Sequence, residues 1–192
     1  IPVENIKQIE VVKGASSVLS GASALSGAIY IRTNYPGIQP YTKVKVSTGF
    51  YSSPRSPAVA WWKGINYKAS ASFLHSQQLG NGHTDLVIGG MFSANESYLG
   101  APVPGPLVID TVPISDDEMA NRKVRLNFNL RHRSKKIKGL DYGLNGNMMY
   151  HKSSTVFAWL DDTTNFYRAY PGAVLLSKNT TFYLDPFVNF YS

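Results

Sequence analysis

Polar and apolar residues alternate one by one in "KVRLNFNLRHR", residues 123 to 133, so Val124, Leu126, Phe128 and Leu130 fall on one side of an extended chain. Arg125, Asn127, Asn129 and Arg131 fall on the other. A period of two does not suit a helix and dictates a strand with one oily and one wet face. The same pattern recurs along the chain. In "INYKASASFL", Ile65, Tyr67, Ala69, Ala71 and Phe73 oppose Asn66, Lys68, Ser70 and Ser72. Leu140, Tyr142, Leu144, Met148 and Tyr150 oppose Asp141, Gly143, Asn145 and Asn147, and Phe182, Leu184, Val188 and Phe190 oppose Asp185 and Asn189. "KVKVSTGFY" and "DLVIGGMFSA" repeat it more weakly. The reading is six strands, beginning near residues 43, 61, 84, 122, 140 and 181.

Two architectures use such strands. In a soluble sandwich the apolar face points into a core; in an outer-membrane barrel it points at lipid and the polar face lines the lumen. The connections favour the barrel. Segment 52 to 60 is intermediate, 76 to 83 and 134 to 139 are short, and 95 to 121 and 153 to 180 are long. Short turns on one side and long loops on the other are a barrel trait. The alternating runs also approach the ~10 residues that a tilted strand needs to cross a bilayer. No run approaches the ~18 apolar residues of a membrane-spanning helix.

Composition narrows the function. The chain is 43% hydrophobic and only 16% charged, with 12 Tyr and 9 Phe, a mixture that suits strands. A net charge of +7 raises the question of nucleic acid, yet outside "RHRSKKIK", residues 131 to 138, the basic residues are scattered singly. A nucleic-acid interface needs them on one face with aromatics between, so none is expected. The absence of cysteine excludes disulfides and thiolate chemistry. His75, His83, His132 and His151 have no metal-ligand spacing, and the acidic runs at 116 to 118 and 161 to 162 read as loop charge before they read as a calcium site. Nothing assembles a catalytic constellation, so no enzyme, cofactor or metal is expected.

The opening stretch follows a different rule. "IEVVKGASSVLSGASALSGAIYIRT", residues 9 to 33, gathers Gly, Ala and Ser between two strand-like ends. Ile9, Glu10, Val11, Lys13, Gly14, Ser16, Gly21, Ala24, Gly27, Ile29, Ile31 and Thr33 together resemble the end of the plug domain of TonB-dependent outer-membrane receptors. Ala15 and Ser20 depart from the family's usual Pro and Tyr. "GLDYGLNGNMMYHKSS" and "TTFYLDPFVNFYS" are similar to early barrel strands of Bacteroidetes members. Small residues suit a plug, whose backbone packs closely against a barrel wall.

The resemblance implies an all-β protein: residues 1 to 40 as the C-terminal part of a plug with its "YPGIQP" hinge, and 41 to 192 as the N-terminal strands of a transmembrane antiparallel β-barrel. Six strands cannot close a membrane barrel, and the family's has about twenty-two. An opening on Ile-Pro-Val and an ending in "NFYS" therefore read as internal points of a longer protein. The implied function is ligand uptake across the outer membrane, driven by the inner-membrane TonB complex through a region outside this stretch. Its expected partners are outer-membrane lipid, that complex, an unidentified small ligand and a surface lipoprotein. The plug motif carries Glu10, Lys13, Gly14, Gly21 and Gly27, with Glu10 and Lys13 expected to pair with groups of the barrel strands. Lys68, Arg125, Asn127, Asn129, Arg131, Asn145 and Asn147 would face the lumen. Tyr98, Trp159, Phe166, Tyr167 and Tyr170 in the long loops would meet ligand or partner, or else serve loop packing and the interface girdle. Two alternatives stand: a barrel that serves only as a docking component of a surface assembly, and a soluble β-sandwich binding module.

Overall fold

The computed structural model describes residues 5–13, 27–103, 113–160 and 164–191. The described chain is all-β and antiparallel. Strands β1 (Ile6–Lys13) and β2 (Gly27–Thr33) pair only with each other. Six further strands form one open sheet: β3 (Tyr41–Phe50), β4 (Tyr67–Leu79), β5 (Thr84–Asn95), β6 (Asn121–Arg133), β7 (Leu140–Val156) and β8 (Val174–Phe190). Their spatial order is their chain order, a meander with β3 and β8 as its edges. No helix among the described residues is long and apolar enough to cross a membrane.

Four of the six strands lie where the alternation places them. Two begin elsewhere. The strand expected from 61 starts at Tyr67, because Trp61 and Trp62 leave the sheet to pack with the loops. The strand expected from 181 starts at Val174, and β4 continues to Leu79, so the turn expected over 76 to 83 shrinks to 80 to 83. That turn, Gly80-Asn81-Gly82, holds three consecutive residues at positive φ (59°, 57° and 83°), a path open to Gly and Asn at little cost. The other short connection is 134 to 139. Segments 51 to 66, 96 to 120 and 157 to 173 all leave from the opposite end of the sheet.

The register aligns side chains in rows across the strands. One row reads Val44, Phe73, Gly90, Leu126, Met148 and Phe182, and the next Val46, Ala71, Phe92, Val124, Tyr150 and Thr180. Rows of the opposite face are mostly polar, as in Ser47, Ser70, Ser93, Lys123, His151 and Asn179, with Leu74 and Val87 buried among them. Burial runs against the rule for a protein in water. Val46, Leu126 and Phe182 are 75%, 53% and 65% exposed, whereas Asn127 and Asn147 retain only 9% and 6%. The polar side chains crowd one another and shield themselves, while the apolar face of the sheet lies open.

Two cross-strand pairs on that open face couple a phenylalanine to a glycine: Phe73 to Gly90 and Phe128 to Gly146. Each ring lies over its glycine so closely that a methyl group there would collide with it. The ring covers backbone that the missing side chain would leave bare.

Apolar burial is concentrated at the long-connection end. There Ala101, Met119 and Ala169 are almost wholly enclosed, with Ile114, Val156 and Val174 packed around them. This small core joins loop residues to the tips of β7 and β8.

Candidate functional site

The polar face is one continuous surface built by strand register. Lys68, Arg125, Asn127, Asn129, Arg131, Asn145 and Asn147 all lie on it. Its amides form cross-strand hydrogen bonds: Asn129 Nδ2 donates to Asn145 Oδ1 at 2.7 Å, and Arg125 Nε donates to Asn147 Oδ1 at 2.7 Å. Asn145 Nδ2 continues the chain to Asp185 Oδ2 at 3.3 Å. Asn127 Oδ1 is buried and has no hydrogen-bond partner among the described residues.

Toward the short turns this face closes around Asp85, which is 3% exposed. Arg131 Nε donates to its Oδ2 at 2.9 Å, and Arg133 Nη2 donates to the same oxygen at 2.7 Å. Gln78 Nε2 donates to Oδ1 at 3.3 Å, and Arg133 Nη1 also holds the Gly82 carbonyl at 2.9 Å. A buried carboxylate with two guanidinium partners is satisfied, and removing it would strand both. Arg131 in turn stacks on Tyr35, its guanidinium carbon 4.6 Å from the ring centroid. Residues 33 to 36, just after β2, thereby line a cavity of about 350 Å³ on the polar face with Asp85, Asn129 and Asn145. The chain that links the hairpin to the sheet is seated there.

Toward the long connections the same face opens into a groove of about 720 Å³, lined by Lys68, Ser70, Ser93, Asn95, Lys123 and His151. The loops above it are tied together by rings. Tyr51 and Tyr98 lie 6.0 Å apart, Tyr98 and Tyr167 6.3 Å, Trp62 and Tyr167 6.5 Å, Phe166 and Tyr167 5.2 Å. Trp61 stacks edge-on with Trp62, lies flat on Gly100 and donates from Nε1 to the Tyr98 carbonyl at 2.8 Å. The Tyr51 hydroxyl donates to Asn95 Oδ1 at 2.9 Å, so this cap joins the groove wall directly. Asp116 accepts from Arg168 Nη1 at 2.6 Å and from the Ala101 amide at 2.9 Å.

Of the five loop aromatics singled out in the sequence, Tyr98, Phe166 and Tyr167 thus belong to the packed cap. Trp159 and Tyr170 belong to none of these ring contacts and lie near a short antiparallel bridge of Trp159 with Ala169. Sequence reading missed Tyr51, Trp61 and Trp62. The double tryptophan at a strand's expected start was the signal. The acidic run 116 to 118 forms a 3₁₀ turn, and each carboxylate has a protein partner: Arg168, Arg122 and the Ser115 amide. Among the described residues, no three His, Asp or Glu side chains gather to hold a metal. Asp161 and Asp162 lie outside the described residues.

In the β1–β2 hairpin Glu10 faces Tyr30 and Lys13 faces Gly27. The Glu10 carboxylate lies 3.8 Å from Arg32 of the same hairpin, on an exposed surface. Gly27, at φ 145°, sits against the Val12 carbonyl, where a side chain would clash. Gly14 and Gly21 lie outside the described residues. No family model matches the chain, and no curated protein or solved structure matches it.

Proposed function

We propose that this chain contributes the end of a plug and the first strands of a TonB-dependent outer-membrane receptor, which takes up a ligand using energy transmitted from the inner membrane. The observation that carries the reading is the inverted burial of the six-stranded sheet, open on its apolar face and self-shielded on its polar one. In water such a face would exceed the few hundred Å² of contiguous apolar patch that soluble monomers tolerate. In lipid it is the stabilising surface, and strands of 10 to 17 residues are long enough to cross. Supporting it are the three long connections gathered at one end and the two short turns at the other. The short-turn end would face the periplasm, and the plug hinge at 34 to 40 enters from that side. The hairpin of β1 and β2, outside the wall and linked through Tyr35 to its polar face, fits a plug remnant.

The test uses cells expressing the full-length protein. It is expected to resist carbonate extraction of membranes and to need detergent for release, and its deletion is expected to abolish uptake of the ligand. Release by carbonate alone would return the chain to the soluble sandwich class. Retention in the membrane with no transported ligand would make it a docking barrel.

A further inference from the structure

The charges on the polar face are sorted along the strands. From the long-connection end downward, successive rows carry Lys68, then Lys123 with His151, then Lys45 with Arg125, then Lys43. Those four rows hold no carboxylate. The Asp residues of this face, Asp85, Asp141 and Asp185, all lie in the half nearer the short turns, where Asp85 is already taken by Arg131 and Arg133. Among the described residues, no carboxylate comes within 4 Å of Lys43, Lys45, Lys68, Lys123 or Arg125.

Five like charges on one face repel one another and sum to a positive field along it; Lys123 and Arg125 are half-buried, and Lys43, Lys45 and Lys68 are exposed. The rows are spaced about 7 Å apart, so the ladder extends about 20 Å along the strands. At its upper end the groove adds neutral partners for oxygen atoms: the hydroxyls of Ser70, Ser93 and Ser153 and the amides of Asn95 and Asn121. Cations in series, with hydroxyl and amide donors between them and no acidic competitor, form a surface complementary to an elongated polyanion.

We propose that this ladder is the ligand-binding wall of the receptor, and that the ligand is an elongated solute bearing several carboxylate or phosphate groups. The assignment rests on the uptake reading above, which makes this face the lining of the uptake path. Attraction along the rows would draw the anion from the cap toward the hinge, where Asp185 is the first carboxylate of this face that no arginine holds.

Calorimetry on the full-length protein in a neutral detergent tests it, with tripolyphosphate and tricarballylate as separate probes and maltotriose as the uncharged control. At least one anion is expected to bind, with an affinity that falls as salt rises, and maltotriose is not. Lys123→Gln with Arg125→Gln is expected to weaken that binding about tenfold or more, since each charged hydrogen bond is a strong one. Lys135→Gln with Lys136→Gln, the same charge change in a short turn, is expected to leave it unchanged. Binding by only one probe separates phosphate from carboxylate recognition. No binding of either anion, equal weakening by both double variants, or no weakening by the first would each overturn the proposal. Carbonate extraction of the same membranes keeps the two readings apart: an integrated protein that binds no anion refutes the ligand class alone, and a carbonate-released one refutes the barrel.

Discussion

The two ends of the sheet are stabilised in opposite ways. At the short-turn end the chain reverses within 80 to 83 and 134 to 139, and one buried carboxylate, Asp85, gathers two arginines from β6. At the long-connection end three segments far apart in sequence are joined by stacked rings and a half-exposed pair, Asp116 with Arg168. One end is closed by charge pairs, and the other by a cap of aromatic contacts. A sheet tied together at one end can carry long, variable connections at the other.

The sharpest way to break this comparison is to ask which end faces outward. In intact cells expressing the full-length protein, an impermeant maleimide is expected to label Thr164→Cys and to leave Lys136→Cys unlabelled, an all-or-none contrast read against the unsubstituted protein, since these 192 residues contain no cysteine. The reverse pattern would exchange the roles of the two ends. Next in size is the contrast between the two aspartates. Asp85→Ala leaves two partly buried guanidinium groups without their anion and is expected to lower the unfolding free energy by about 3 kcal/mol. Asp116→Ala removes an exposed pair and is expected to cost about 1 kcal/mol or less. Urea titration in lipid vesicles measures both, and equal losses would erase the distinction. The smallest effect tests the cap itself. Gly100→Ala pushes a methyl group into the Trp61 ring, 2.7 Å from Cδ2, and is expected to cost about 1 to 2 kcal/mol with a shifted tryptophan emission. An unaltered spectrum would mean that the rings do not hold the cap.

How much of this was legible beforehand follows the same division. The strands of the six-stranded sheet were, because alternation is a local signal: β6 covers Asn121–Arg133, almost the run from which it was inferred. The start of β8 was hidden by Lys178, which sits on the apolar face in line with Lys152 and interrupts the oily pattern. The end of β4 was hidden by Ser76, Gln77 and Gln78, polar residues that read as turn yet occupy regular ladder positions. That the seven lumen candidates share one face followed from parity alone. The cap and the Asp85 cluster did not follow from anything local, since Arg168 meets Asp116 across 52 positions and Arg131 meets Asp85 across 46. Strand register brings Arg131 to Asp85, and loop packing brings Arg168 to Asp116.

The phenylalanines laid over glycines bear on how this sheet finds its alignment at all. A slip of one residue between strands would turn every oily side chain to the wet face and is rejected on polarity. A slip of two keeps all faces correct, so polarity is blind to it. Volume is not. Shifted by two, Phe73 would meet Ile88 or Phe92 in place of Gly90, and Phe128 would meet Leu144 or Met148 in place of Gly146. Neither ring could then lie flat. These pairs act as keys cut to a single lock position, so that β4 to β5 and β6 to β7 proofread their own alignment as the hairpins close.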